Sequence, residues 1–244
     1  MNLSFKNVVI IGFTTICLIL GCSKSALITN DLIAPNWQDG EALSYHIIRN
    51  DTIIGYAQYK IFFDMDHNIP VYILQLVTKT SSQMPYFYDT SVVCFRRHDF
   101  SPIWAWRKVE SDIGYTIVTT RYEGNQAEIW RETIDGTQSF EQKLKQPSFD
   151  NEMVLTLLRA LRFNKSRKYK LNVLAPMTME NISNTVRKLG KATVITKSGN
   201  FECDRIQLRY DNRLYNIFYE RMEPRRLIKY QEKNSAIILE LAQN

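Results

Sequence analysis

Apolar and polar residues alternate with a period of two along most of this chain, the pattern of strands with one buried face. Over residues 53–63, Ile53, Gly55, Ala57, Tyr59, Ile61 and Phe63 share one face, while Gln58 and Lys60 lie on the other. Similar stretches at 42–49, 71–80, 86–95, 103–109, 115–122, 127–134 and 137–144 predict further strands. Short turn signals separate them: Asn50-Asp51, Met65-Asp66-His67-Asn68, Gly124-Asn125 and Asp135-Gly136, the last being the strongest hairpin signal in the chain. One segment breaks the pattern. Asp150 is placed to cap a helix, Glu152 sits in its first turn, and Val154, Leu157, Leu158 and Leu161 recur at helical spacing. Arg159 and Arg162 then fall in the last turn, where positive charge suits the helix dipole. Strands resume at 169–175, within 182–196, and at 201–210, 214–219, 226–230 and 236–241. The apolar parity switches between Cys203 and Ile206, which predicts a bulge. No repeat, low-complexity linker or domain boundary is visible.

The N-terminus follows a different rule. Lys6 is the only charge in residues 1–21, and an apolar run over residues 8–20 follows it. That run is shorter than the ~20 residues a membrane-crossing helix needs. A positive start, a short apolar stretch and a small residue at its end describe an export signal. Ile19-Leu20-Gly21-Cys22 is similar to the lipobox of bacterial lipoproteins, although Leu20 stands where Ala or Ser is commoner. On this reading residues 1–21 are removed, Cys22 carries lipid, residues 22–35 form a tether, and residues 36–244 form a single β-rich domain. The alternative is an uncleaved N-terminal membrane helix. Two or more acyl chains anchor stably where one is marginal. Ser23, rather than Asp, follows the cysteine. In a bacterium with two membranes this points to the outer membrane, facing the periplasm.

Charge adds little. The formal net charge is +6, and removal of Lys6 leaves +5 on the mature part. The basic residues are scattered, with no clustered stripe or nucleic-acid module, so no nucleic-acid partner is expected. Contact with anionic headgroups stays open. Of the four cysteines, Cys17 leaves with the signal and Cys22 is lipidated. Cys94 and Cys203 are then either a disulfide, which export permits, or two buried free thiols.

Catalytic patterns were sought among the remaining residues. Asp64-Met65-Asp66-His67-Asn68 begins like a calcium loop but has Ile69 and Gln75 where that loop needs Gly and Glu, so a hairpin turn explains it better. His46, His67 and His98 have no metal-type spacing. There is no Gly-x-Ser-x-Gly elbow and no phosphate loop, and no base is indicated near either cysteine. No metal, cofactor or catalytic residue is therefore expected, and the chain is not read as an enzyme. The aromatic residues carry the remaining signal. Tyr56, Tyr59, Trp104 and Trp106 are the candidate ligand-binding residues, within a first half crowded with rings. Such rings are explained either as core or as the lining of a cleft for an acyl chain.

Four segments together resemble the exported bacterial domain-of-unknown-function 3108 family. They are Trp37-Gln38-Asp39-Gly40-Glu41-Ala42-Leu43-Ser44-Tyr45, followed by Gly55 in the next strand; Phe149-Asp150-Asn151-Glu152 leading into Leu157-Leu158-Arg159-Ala160-Leu161; Ser198-Gly199-Asn200-Phe201-Glu202-Cys203-Asp204-Arg205-Ile206; and Arg226-Leu227-Ile228-Lys229-Tyr230. Each is weak alone, and their order carries the resemblance. It implies a curved antiparallel sheet or open half-barrel, similar to those of envelope lipid carriers, and no agreed catalytic residues. The expected fold is mainly β, with one amphipathic helix packed on the sheet. The expected function is a lipid-anchored envelope module that binds an apolar small molecule or lipid. The alternative is an assembly partner whose sheet face docks on another envelope protein.

Overall fold

The computed structural model describes residues 26–82, 84–163, 168–210 and 212–242. The export signal, Cys22 and the start of the tether lie outside the described residues.

The alternating stretches form strands β1 (Ala26–Leu27), β2 (Glu41–Arg49), β3 (Thr52–Asp66), β4 (Ile69–Thr80), β5 (Phe87–Arg96), β6 (Pro102–Ser111), β7 (Gly114–Glu123), β8 (Gln126–Thr133), β9 (Gly136–Lys143) and β10 (Ser148–Asp150). After the helix come β11 (Lys168–Ala175), β12 (Glu180–Thr196), β13 (Gly199–Tyr210), β14 (Arg213–Glu220), β15 (Leu227–Glu232) and β16 (Ile237–Leu241). Two antiparallel meanders, β2–β9 and β11–β16, are joined edge to edge where β16 pairs with β2. The result is one curved sheet that does not close: β9 ends one side and β11, with β1 and β10 parallel to it, ends the other. The turns have the chemistry their residues suggested. Asn50 and Asp51, and His67 and Asn68, all adopt positive φ at two-residue hairpins, the conformation that matches strand twist and that Asn and Asp tolerate best. The calcium-like stretch is therefore such a hairpin.

The sheet curls around the helical segment. Asp150 caps a single 3-10 turn (Asn151–Met153), its carboxylate accepting from the Glu152 amide at 2.8 Å, and α1 (Val154–Ala160) follows. The helix is shorter than its periodicity predicts, because Leu161 leaves it in an extended conformation to bridge Leu32. Nor is it amphipathic in its setting. Val154, Thr156, Leu157, Leu158, Arg159 and Ala160 are all buried, so it has no solvated face and fills the hollow of the sheet. Arg159 is consequently no surface cation at a helix end. It bonds the Glu41 carboxylate and the Pro224 carbonyl, because a buried guanidinium must be paired. Its main core joins α1 to strands from both meanders, including Leu43, Tyr45, Leu74, Val93, Leu171, Val173, Ile206 and Ile217. A smaller cluster of Val118, Ala127, Ile129, Leu144 and Leu174 brings β7 and β8 against β11 across the opening.

Two expectations are corrected, and one open alternative is decided. The tether does not reach residue 35: β1 pairs with β11, Ile28 is fully buried in a 3-10 turn over Ile28–Asp31, and Tyr169 donates its hydroxyl to Asp31. From Ala26 onward the segment is part of the domain. The bulge lies opposite Arg205 and Ile206, but its extra residue, Leu189, belongs to β12. β13 itself pairs regularly with β14 there. Finally, Cys94 and Cys203 are separate buried free thiols rather than a disulfide. They lie on strands far apart in the sheet order, and burial pushes each thiol up to about 12, which leaves them unreactive.

Candidate functional site

Cross-strand register decides which side chains face the hollow. On β3 the inward set is Ala57, Tyr59, Ile61 and Phe63, paired through β4 with Thr78, Leu76, Leu74 and Tyr72. Further round, Leu76 opposes Ser91 and Ser91 opposes Arg107, while Val93 opposes Ala105 and Ala105 opposes Thr120. Trp37, Phe63, Tyr72, Phe95 and Phe100 pack together at one end in edge-to-face, tilted and stacked pairs, with centroids 5.0–6.3 Å apart.

Toward the opposite end of β3 the hollow stays open as two chambers. One, of about 570 Å³, is lined mainly by apolar and tyrosine side chains: Ile47, Tyr59, Leu208, Tyr215, Tyr230 and Leu239 among them. The other, of about 760 Å³ and called the polar chamber for the charges it holds, has a mixed lining: Ala105, Val118, Met177 and Ile182 beside Arg107, Thr120, Asp150, Glu152, Glu180 and Arg213. Asn151, Glu152 and Tyr210 border both, so the 3-10 turn ahead of α1 is the sill between them.

The polar chamber is built around Arg107. Its Nε and one terminal nitrogen grip Asp89 at 3.0 and 2.7 Å, and the other terminal nitrogen reaches Glu152 at 2.7 Å. Asn151 and Ser91 also donate to Glu152. Tyr122 donates its hydroxyl to Asp150. Burial, reinforced by the charge of Glu152, raises the Asp150 carboxyl to about 7. Burial also raises Glu152, against the opposing pull of Arg107. Burial disfavours the Arg107 charge, but its bonds to Asp89 and the neighbouring carboxylates outweigh that and hold it ionised. Tyr59 is pushed well up by burial and by Glu152 and Asp89, so it stays a neutral hydroxyl. Among the described residues no three His, Cys, Asp or Glu side chains group closely enough to hold a metal ion.

The four aromatic candidates do not form one site. Tyr59 lines the apolar chamber. Tyr56 is on the opposite face of the same strand, 44% exposed and edge-on to His46. Trp104 and Trp106 share a face as the alternation requires, but it is the outer one: Trp104 opposes Cys94 and Arg121, and Trp106 opposes Val92 and Thr119. Trp106 borders the polar chamber only as the residue between the inward Ala105 and Arg107. Trp106 and Trp130 lie on the convex side opposite the same β7 residue, Thr119, while Phe62 lies on that side of the distant strand β3. Rings in the first half are thus partly core and partly outer surface, and one of the four belongs to the cleft. The residues missed were Asp89, Arg107, Tyr122 and the inward role of Asp150 and Glu152. The only signal for them was the Phe149-Asp150-Asn151-Glu152 segment, which helix capping alone seemed to explain.

An open β-barrel-like sheet wrapped round a helix, with a two-chambered interior cleft, is the class of molecule these features define. The family model described as "Protein of unknown function (DUF3108)" matches residues 44–236. The chain belongs to that family. In fold it is similar to the crystal structure of a β-barrel-like protein of domain of unknown function DUF1849 from Brucella abortus, with a TM-score of 0.55 at 9% identity over 83% of this chain and 95% of that one. No curated protein matches the chain.

Proposed function

We propose that this protein is a lipid-anchored bacterial envelope module that holds one amphipathic molecule in its interior cleft, the apolar part among Tyr59, Leu208, Tyr215 and Tyr230 and the polar part toward Asp150, Glu152 and Thr120. The observation that carries the reading is the pair of adjoining chambers, one mainly apolar and one of mixed lining that holds the buried charges, sharing the Asn151-Glu152 sill and Tyr210. Their volumes lie in the range of small-molecule sites, and a filled sandwich core would leave no such space. Binding rather than turnover is favoured because the titratable groups are mostly spent on one another: Arg107 on Asp89 and Glu152, Asp150 on Tyr122 and the helix cap. Mass spectrometry of organic extracts of protein purified from its native envelope tests the reading. A stoichiometric amphiphile supports it, and none above a mock purification refutes it.

The anchor rests on the ordered basic, apolar and Gly21-Cys22 segments. It places the domain at the envelope, in the outer membrane facing the periplasm where there are two membranes. Among the described residues no helix is long and apolar enough to cross a membrane. Cys22→Ala should abolish incorporation of a clickable fatty acid; equal label on both forms would refute the anchor. A second reading, a docking partner for another envelope protein, draws on large rings left partly exposed on the convex side, Trp130 at 38% and Phe62 at 36% exposure.

A further inference from the structure

The polar chamber has an excess of negative charge that its own cations do not match. Asp150, Glu152 and Glu180 line it, with Asp89 directly behind Arg107, against the guanidinium groups of Arg107 and Arg213. All three guanidinium nitrogens of Arg107 already donate to carboxylates, and Arg213 lies 3.9 Å from Glu232. A carboxylate or phosphate entering here would meet like charge, and Arg107 would have only the second N–H of each terminal nitrogen left to offer. Asp150, 1% exposed, accepts among the described residues from the Tyr122 hydroxyl and the Glu152 amide, which leaves acceptor capacity on a residue that lines the chamber.

An independent feature points the same way. Thr120 is 1% exposed, its side chain faces the chamber, and its Oγ1 has no hydrogen-bond partner. Thr90 and Ser148 also bury hydroxyls without a partner, but of the three only Thr120 lines this chamber, where an entering donor would satisfy it. A bare metal ion does not fit, since among the described residues no three metal-binding side chains come together. The charge must come from a group that arrives with its own hydrogen-bond donors.

The geometry points to a ligand with an ammonium headgroup: a single-chain amphiphile whose tail lies in the apolar chamber and whose charged N–H donors are received by Glu152, Asp150 and the Thr120 hydroxyl. This rests on the cleft-binding reading above and adds to it the sign and hydrogen-bonding character of the head. The Asn151-Glu152 sill places acceptors where tail and head would join. Burial, with a neighbouring carboxylate added in each case, raises the affinity of Asp150 and Glu152 for protons.

Photolabelling of the full chain in its isolated native membranes separates the two claims. Three dodecyl probes carrying a diazirine at the tail end are compared: the amine, the alcohol and the carboxylate. Labelled peptides are mapped by mass spectrometry. The expected result is labelling of the apolar chamber, in β13, β14 and β16, with the ammonium probe favoured over the carboxylate by about tenfold or more, the factor worth ~1.4 kcal/mol. Glu152→Gln should reduce that preference several-fold. Thr120→Val should also reduce it while leaving the melting temperature at or above wild type, because it removes an unsatisfied buried hydroxyl without losing volume. Equal labelling by all three probes, or carboxylate in excess, overturns the headgroup and leaves a cleft that binds apolar chains. So does a preference untouched by both variants. Absence of label from the cleft with every probe overturns both claims.

Discussion

Replacing Arg107 by Met tests the electrostatic core of the cleft most directly. Methionine keeps most of the side-chain length and apolar contact but removes the positive charge shared by Asp89 and Glu152. The three side chains are 25, 14 and 17% exposed respectively, so solvent offsets only part of the loss. Removing one partner of a buried pair costs ~3–5 kcal/mol, and this accessibility puts the expectation near ~3 kcal/mol at pH 8. The cost should depend on pH in a definite direction. Without Arg107 the carboxyls of Glu152 and Asp150 rise further in the folded state, while their unfolded values stay ordinary. Folding then takes up protons, and stability falls as pH increases through that interval. The loss measured by urea denaturation should therefore be smaller at pH 5 than at pH 8. Arg107→Met combined with Glu152→Gln should recover part of it, since one uncompensated charge is gone. A cost below ~1 kcal/mol at pH 8, or equal costs at both values, would refute the claim that Arg107 offsets buried negative charge.

Asp150 alone should show the same sign. Its carboxyl moves from an ordinary 3.8 to about 7 on folding, so its contribution is fully present below 3.8 and is lost as pH rises toward and through 7; Asp150→Asn should flatten the fall in melting temperature between pH 5 and pH 8, and an unchanged slope would refute the assignment. Leu158→Asp puts an unpaired carboxylate at a fully buried position on α1, at several kcal/mol against a total stability of ~5–15 kcal/mol, and circular dichroism should show a largely unfolded domain. Gly55→Ala places a Cβ 2.5 Å from the Lys79 carbonyl oxygen on the next strand. That backbone has to shift, at ~1–3 kcal/mol, and an unchanged denaturation midpoint would show that β3 and β4 do not approach so closely.

Much of the fold was legible in the chain because local rules suffice for it. Strand positions follow from alternation, the hairpins from Asn50-Asp51, His67-Asn68 and Asp135-Gly136, and the helix from Asp150 and the spacing of Val154, Leu157 and Leu158. Gly55 stood out as a small residue in an aromatic strand, and the close approach of Lys79 explains it. That Trp104 and Trp106 share a face was equally certain, since the period of a strand is two. What alternation does not specify is which of two apolar faces becomes concave. Ile103 and Ala105 offered one, Trp104 and Trp106 the other. The pairing of Ala105 with Val93 and Thr120, together with the curl of the sheet round α1, put the smaller residues and Arg107 inside and the indoles outside.

The same reason hid the cleft. Arg107 meets Asp89 from 18 residues away and Glu152 from 45, while Tyr122 reaches Asp150 from 28. Single charged residues at such separations look like ordinary surface in the sequence. Asp150 and Glu152 looked like capping chemistry, and they do cap; burial at the sill between two chambers is what gives them a second use. Local propensity and periodicity act within a few residues and so determine elements and their faces. The site depends on sheet curvature and on the join of β16 to β2, which bring distant strands round one hollow, and only the folded chain decides those.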